Sequence, residues 1–154
     1  MRFEGQLAIV TASTAGIGFA IAERLAKEGA KVVISSRKLA NVRQAETKLQ
    51  EQNLTVKGVV CHVGDLTALQ NLVKEAVEFG NGKIDIVVSN AGINPVLATL
   101  SQTPESAIDA VLRINVKSAI LLVQAVLPHL SDGASIVFNS SVGAFHHPLP
   151  GQEM

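Results

Sequence analysis

The sequence predicts an α/β protein built on a doubly wound parallel sheet, and three observations support this fold class. Apolar runs suited to buried strands alternate with segments in which apolar residues recur at helical spacing. A glycine-rich stretch at residues 11–18 joins the first apolar run to the first helical pattern. The 154 residues are 47% hydrophobic and 17% charged, which suits one domain with a buried core and excludes a disordered chain. We expect five strands in the order 3-2-1-4-5, if both halves of the sheet wind outward from the first strand.

The first β-α-β unit spans residues 6–36. The apolar run ending at Val10 predicts a strand, and an amphipathic helix follows until Gly29. The run 31–36 is mostly apolar and rich in β-branched residues, and it predicts the second strand. A right-handed crossover places residues 11–18 at the carboxyl edge of the sheet, where such sheets bind ligands. A glycine-rich turn there lets the backbone approach a pyrophosphate, and the N-terminus of the next helix attracts its charge. The alternative is a purely structural turn, because the first glycine of the usual fingerprint is replaced by Ala12.

The residues after the second strand bear on the choice of dinucleotide. An acidic residue there would hydrogen-bond the ribose diol of NAD(H). The sequence has Ser36, Arg37 and Lys38 instead, and a hydroxyl with two cations suits a 2′-phosphate. We therefore predict NADP(H) as the cofactor, the alternative being that Arg37 and Lys38 are solvated charges at a strand end.

Two further strands are expected to end at the same edge. A helix over 39–52 and a strand over 55–61 lead to His62, which either borders an adenine ring or is an ordinary loop residue. A helix over 69–79 and a strand over 84–88 lead to a small-residue turn containing Asn90, Ala91 and Gly92. The Asn90 amide suits either a tie between strands or a contact with the nicotinamide ribose.

The long segment 104–130 has a helical pattern, with Thr103 as the expected N-cap and Pro104 at the first helical position. Asn115 lies within its apolar stripe. A polar amide there either pairs with backbone or water, or is used by the site. The last expected strand, 134–139, ends in Ser140 and Ser141, which brings hydroxyl groups to the carboxyl edge.

Charge and cysteine content limit the function classes. Thirteen basic and thirteen acidic residues cancel, so the composition gives no sign of nucleic acid or of an anionic membrane as a partner. We find no apolar run of the ~18 residues that would span a bilayer and no signal peptide, and so expect an intracellular, cytoplasmic protein. The single cysteine, Cys61, is expected to be a buried small hydrophobe. No residue is assigned to a metal.

Several separated signals together resemble the short-chain dehydrogenase/reductase family. They are residues 11–18, Asn90-Ala91-Gly92, Asn115 with Lys117, and Ser140-Ser141 after a strand. Within that family, residues 11–20, 35–38 and 61–64 are most similar to the NADPH-dependent carbonyl and retinal reductases called dehydrogenase/reductase member four. The resemblance implies a single Rossmann-type domain over residues 1–154 and the reduction of a small-molecule carbonyl to an alcohol.

The resemblance also implies roles for individual residues. Asn115 would hold a proton-relay water and Ser141 would bind and polarise the substrate carbonyl. Direct NADP(H) contacts are implied for Ser13, Thr14, Ile17, Ser36, Arg37, His62 and Asn90. The candidate cofactor site is completed by their neighbours Thr11, Gly16, Gly18, Ala91 and Gly92.

The sequence departs from the family pattern in three places. Most members have glycine at Ala12 and aspartate at His62, and all 154 residues lack tyrosine, so the Tyr-x-x-x-Lys motif is absent. His146 and His147 are not expected to replace it, because the proline-rich segment around them offers no helix to fix their geometry. We therefore expect a sequence incomplete at its C-terminal end, before a sixth strand, with low stability when made alone.

Two consequences of that expectation concern function. A full-length chain would be an NADP(H)-dependent oxidoreductase, expected to be a homo-oligomer, and a peroxisomal address would need a signal beyond Met154. The alternative is a catalytically inactive form that binds cofactor or pairs with a longer relative.

Overall fold

The computed structural model describes residues 1–80 and 82–144. Its centre is a five-stranded sheet in the order β3-β2-β1-β4-β5, and every neighbouring pair is parallel. The predicted fold class and strand order are therefore confirmed. The strands are β1 Leu7–Val10, β2 Lys31–Ser36, β3 Val56–Val60, β4 Ile84–Ser89 and β5 Leu130–Phe138.

Helices connect the strands and cover both faces of the sheet. They are α1 Gly16–Lys27, α2 Leu39–Gln50, α3 Leu66–Phe79, α4 Glu105–Val111 and α5 Ser118–Val126. Two boundaries differ clearly from the sequence prediction. α3 begins at Leu66, because the Asp65 carboxylate caps it by accepting hydrogen bonds from the Thr67 and Ala68 amides. β5 begins at Leu130, where its pairing with β4 starts before an irregularity in register.

The side chains of β1 show how the two faces of the sheet divide the core. Leu7 and Ile9 pack with residues of α3 and α5, whereas Ala8 and Val10 pack with residues of α1 and α2. All four are at most 1% exposed. A strand buried on both faces is apolar at every position, as expected for a parallel sheet between two helical layers.

The segment Glu105–His129 is helical throughout but changes its winding. α4 passes into a π-helical segment, Leu112–Lys117, which is followed by α5 and by a 3-10 turn, Leu127–His129. The expected N-cap was wrong by one residue. Pro104 occupies the cap position, and the Thr103 hydroxyl donates to the Thr99 carbonyl instead.

This segment also corrects the expectation about apolar length. With a mean hydropathy of 1.7 in its most apolar window, Glu105–His129 is the one helix in the described part of the chain that is long and apolar enough to cross a membrane. The polar residues Arg113, Asn115 and Lys117 divide it in the sequence, so no uninterrupted run was visible. Its contacts are those of a helix packed on a sheet, since Ile114, Leu122 and Val126 are buried in the core. Length and composition alone are therefore weak evidence that this helix spans a membrane.

Apolar side chains remain exposed on two elements. One group lies mainly at intervals of four along Glu105–His129 and comprises Ile108, Leu112, Val116, Ile120 and Leu127. The other lies on β5, the edge strand of the sheet, where Val137 and Phe138 are about half exposed. His146, His147 and the place expected for a sixth strand lie outside the described residues.

Candidate nucleotide-binding site

The candidate site lies where the strand order reverses. β1 pairs with β2 on one side and with β4 on the other, so the turns that follow β1 and β4 leave the carboxyl edge as neighbours. A crevice at such a switch point is the usual ligand site of a doubly wound sheet. The two small-residue turns of the sequence meet here.

Thr11 joins these two turns. Its side chain is almost fully buried, at 1% exposed. The Oγ1 atom accepts hydrogen bonds from the Asn90 and Ala91 amides at 3.0 and 3.2 Å, and it donates to the Val88 carbonyl at 3.4 Å. One hydroxyl therefore holds the backbone that follows β4 against the end of β1.

Asn90 completes the connection from the other side. Its Nδ2 donates to the Thr11 and Ala12 carbonyls, both at 3.1 Å, and its Oδ1 accepts from Asn139 Nδ2 at 2.8 Å. The amide thus ties the ends of β1, β4 and β5 together. Its suggested strand-tying role is confirmed, and contact with a nicotinamide ribose stays a prediction.

Ser13 has a comparable role between β1 and β2. Its hydroxyl donates to the Val10 carbonyl at 2.6 Å and accepts from the Ser35 amide at 3.0 Å. The side chain is fully buried. The structure therefore assigns Ser13 to the framework beneath the turn, and Thr14 is the residue of this pair that reaches the cleft.

The N-terminus of α1 is open toward the turn. Ala15 is the N-cap and supplies no side-chain hydrogen bond, and the first turn contains no acidic residue. The amides of Gly16, Ile17 and Gly18 thus have no side-chain acceptor at the cap, which suits an anion. Gly16 has a φ of +55°, a left-handed conformation that favours glycine.

Gly18 is required because other parts of the chain lie too close to its Cα atom to leave room for a side chain. A Cβ atom at this position would lie 2.6 Å from Asn90 Nδ2 and 2.9 Å from Ser13 Cα. The first turn of α1 therefore packs directly on the turn after β1. Ala12 stands at the position of the first glycine of the fingerprint. It adopts the left-handed conformation that favours glycine, with a φ of +51°.

The cleft itself has a volume of about 260 Å³ and is bordered by five segments of the chain. Its lining contains two arginines, Arg37 and Arg113, and no carboxylate. Lys38 is exposed and is not part of the lining. The cleft is therefore positively charged. It is lined by Ala12, Thr14, Ala15, Ser36, Arg37, Cys61, His62, Val63, Ala91, Gly92, Ile93, Arg113 and Ile114.

His62 presents a hydrogen-bond donor to this cleft. Its Nδ1 accepts from the Gly64 amide at 3.0 Å. In a neutral imidazole the proton then lies on Nε2. His62 thus offers an N–H group at the position where most members of the resembled family have an acceptor carboxylate.

Cys61 lines the cleft but is not a reactive thiol. Burial, with a smaller contribution from the nearby Asp65 carboxylate, raises the pKa of Cys61 to about 11. The thiol therefore stays protonated near neutral pH and behaves as a small apolar side chain. The sequence expectation of a buried Cys61 is confirmed, since it is 2% exposed.

Asn115 lies in the π-helical segment and forms a reciprocal pair with the backbone of Ile93. Its Oδ1 accepts from the Ile93 amide at 2.8 Å, and its Nδ2 donates to the Ile93 carbonyl at 2.9 Å. Of the alternatives left open by the sequence, pairing with backbone is therefore present. Through Ile93, Asn115 positions one wall of the cleft.

Ser141 follows the end of β5 and is exposed. Its Oγ accepts from the Gly143 amide at 3.1 Å, so the hydroxyl hydrogen remains available as a donor. Ser141 lies outside the lining of the cleft. Its role in binding a carbonyl stays a prediction.

The structure thus sorts the predicted residues into three groups. Those that line the cleft are Thr14, Ser36, Arg37, His62, Ala91 and Gly92. Those that support the cleft from beneath or beside are Thr11, Ser13, Gly16, Gly18, Asn90 and Asn115, whereas Ile17 is exposed in the first turn of α1 and outside the lining. Ser141 stands apart at the end of β5.

Sequence reasoning missed several cleft residues, chiefly Val63, Ile93, Arg113 and Ile114. Ile114 and Val63 belong to the same part of the core, and a Cβ on Gly64 would lie 2.7 Å from the Ile114 Cδ1 atom. The helical pattern indicated that Asn115 was unusual, but no local signal shows which side of the π-helical segment meets the cleft. A second, larger groove of about 620 Å³ lies between α3 and α5 and contains no residue of the glycine-rich turn.

The fold and this cleft define a Rossmann-type protein with a candidate nucleotide site at the switch point of its sheet. Residues 6–153 match the family model described as short chain dehydrogenase, and the chain belongs to this family. The family binds nicotinamide cofactors.

Individual relatives agree with this assignment. The chain is 54% identical over 147 residues to "Tropinone reductase-like 3" of Erythroxylum coca, covering 96% of this chain and 57% of that protein. It is 49% identical over 148 residues to "Dehydrogenase/reductase SDR family member 4" of Homo sapiens, covering 95% and 52% respectively. The chain thus spans about half the length of the curated relatives it matches.

A solved structure gives the same picture in three dimensions. A short chain dehydrogenase from Burkholderia cenocepacia, in complex with NADP, superposes with a TM-score of 0.89 at 34% sequence identity. The match covers 98% of this chain and 61% of the bacterial one.

Proposed function

We propose that this chain binds NADP(H) in the cleft and takes part in reducing a carbonyl group, in a ketone, an aldehyde or a retinal-like compound, to an alcohol. The observation that carries the proposal is the charge at the end of β2, where Ser36 and Arg37 line a cleft that contains no carboxylate. A ribose diol would be bound there by an acidic residue, whereas a 2′-phosphate is bound by a hydroxyl and a guanidinium.

The glycine-rich turn and the start of α1 also suit a dinucleotide. Gly18 brings the backbone close to the turn after β1, and the open N-terminus of α1 suits a pyrophosphate. The NADP bound to the Burkholderia cenocepacia relative supports the same cofactor here. The names of the two curated relatives support reduction as the type of reaction.

The proposed chemistry divides between the cofactor and the residues of this chain. Bound NADPH would supply a hydride to the carbonyl carbon, and the carbonyl oxygen must also gain a proton. The Ser141 hydroxyl is proposed to donate a hydrogen bond to that oxygen, which polarises the C=O bond. Asn115 keeps one N–H and one lone pair beyond its bonds to Ile93, and these are proposed to hold a proton-relay water. The Tyr-x-x-x-Lys motif of the resembled family is not among these 154 residues.

Cofactor binding is the first test, and the composition of the chain makes it direct. The sequence has no tryptophan and no tyrosine, so the fluorescence of bound NADPH or NADH is measured without protein emission from those residues. We expect NADPH to bind more tightly than NADH. Loss of a charge-assisted hydrogen bond at about 1.5–3 kcal/mol predicts that Arg37→Ala weakens NADPH binding about 10- to 100-fold. NADH binding should change little.

Arg43→Ala is the matched control, because Arg43 is an exposed arginine of α2 outside the cleft. Equal affinity for the two nucleotides, or no binding of either, would contradict the cofactor proposal. Carbonyl-dependent oxidation of NADPH is the second test, with Ser141→Ala expected to reduce the rate. A rate that is unaffected by Ser141→Ala would contradict the role given to this serine.

A further inference from the structure

Arg113 is the one charged residue of the cleft that the proposed function does not use. It belongs to the π-helical segment Leu112–Lys117, whereas Arg37 follows β2. The next residue, Ile114, is buried and contacts the turn at Gly64. Arg113 therefore reaches the cleft from the helical layer, next to a buried neighbour that contacts the turn after β3.

No carboxylate of the described chain neutralises either arginine. Four ion pairs occur in residues 1–80 and 82–144, and none involves Arg37 or Arg113. Asp109 precedes Arg113 by one helical turn but does not pair with it. Arg37 and Arg113 are both exposed, and their guanidinium groups keep N–H donors for a ligand.

Arg37 and Arg113 line the same small cleft. A sphere of the cleft's volume, about 260 Å³, is about 8 Å across, which is close to the Debye length of about 8 Å at physiological ionic strength. An anion bound between the two guanidinium groups would therefore be only partly screened from each of them.

We infer that Arg113 is a second determinant of cofactor specificity, which acts with Arg37 on the 2′-phosphate of NADP(H). The inference rests on the proposed function and adds a residue to it. The geometry gives the phosphate two cations from different elements, one at the end of β2 and one in the π-helical segment. Arg113 thereby makes NADP(H) binding depend on the helical layer as well as on the sheet.

The test compares four proteins, namely the unaltered chain, Arg113→Ala, Arg113→Lys and Arg43→Ala. Dissociation constants for NADPH and for NADH are measured by nucleotide fluorescence at two salt concentrations. We expect Arg113→Ala to weaken NADPH binding about three- to tenfold, because one cation of the phosphate site is removed. NADH binding should change less than about twofold, since NADH has no 2′-phosphate.

The two controls separate charge from geometry and from general effects. Arg113→Lys keeps the charge and should retain part of the preference for NADPH, whereas Arg43→Ala should retain all of it. The difference between Arg113→Ala and the unaltered chain should shrink at high salt, as expected for an exposed charge interaction. Far-UV circular dichroism and urea unfolding establish that each variant is folded.

The outcomes distinguish this inference from the proposed function. If the unaltered chain shows no preference for NADPH, both are overturned. If the unaltered chain prefers NADPH and Arg37→Ala abolishes the preference, but Arg113→Ala leaves both dissociation constants unchanged, only the inference about Arg113 is overturned. An equal loss of NADPH and NADH affinity in Arg113→Ala would also overturn it, because the 2′-phosphate would then not be the group recognised.

Discussion

Replacing Thr11 by valine tests whether one hydroxyl holds the two binding turns together. The side chain keeps its shape, but Oγ1 is replaced by a methyl group. The Asn90 and Ala91 amides then lose the acceptor that they share. The position is buried, so the substitution places no new side chain in solvent.

The expected loss of stability follows from these two amides. A buried donor without an acceptor costs about 1–3 kcal/mol. Asn90 and Ala91 are only half-buried, so water replaces part of the hydrogen bonding that their amides lose. We therefore expect Thr11→Val to lower the free energy of unfolding by about 2–3 kcal/mol in total. Thr11→Ser keeps the hydroxyl and loses one methyl group, which costs about 1 kcal/mol.

Urea unfolding followed by far-UV circular dichroism measures this difference. With a denaturant dependence of about 2 kcal/mol per molar urea, Thr11→Val should shift the midpoint down by about 1 M. Thr11→Val should also weaken NADPH binding, because Ala91 and Gly92 line the cleft. Val42→Ala, a core change on α2 of about 2 kcal/mol, should lower the midpoint without altering NADPH affinity. The reasoning is refuted if Thr11→Val unfolds at the same midpoint as Thr11→Ser.

Three further predictions concern other features of the structure. Because the folded Cys61 thiol has a pKa of about 11 against an ordinary value of 9.0, the folded state retains a proton that the unfolded state loses above pH 9. Stability should therefore fall by about 2 kcal/mol between pH 9 and 11, and Cys61→Ala should remove this part of the decline in urea unfolding. Gly18→Ala should lower stability by about 1–3 kcal/mol and weaken NADPH binding, because the added Cβ has no room beside Asn90; an unchanged melting temperature would contradict the packing described. The exposed apolar groups on Glu105–His129 and β5 predict self-association, which Ile120→Glu should reduce in sedimentation velocity, and a monomer with a high urea midpoint would contradict both this and the expected low stability.

The sequence was sufficient to predict the sheet because each strand carries its own signal. Residues 32–34 are β-branched and apolar, and β2 has the expected bounds, Lys31–Ser36. β5 was predicted to start four residues too late, because Asp132 and Gly133 are typical of loops and only pairing with β4 makes them part of a strand. Local propensity was overridden there by a tertiary contact.

Residues of the site could be predicted from the sequence only where they directly follow a strand. Arg37 and His62 follow β2 and β3 directly, so topology alone brings them to the cleft. Arg113 and Ile93 reach the same place through a helix and a loop, whose orientation depends on packing. Asn115 shows the difference clearly, since its position in an apolar stripe was visible but its partner, Ile93, lies 22 residues away.

The hydrogen bonds that close the cleft have a consequence for the order of folding. Those between Thr11 and the turn after β4 join residues 77 to 80 positions apart, whereas β1, α1 and β2 are contiguous in the chain. Local contacts form early and distant ones late. A chain emerging from the ribosome could complete the first β-α-β unit with no cofactor pocket, and would acquire one only when β4 inserts beside β1. Cofactor binding would then require that β4 has already paired with β1. The bound nucleotide would stabilise the fold only at this late stage of folding.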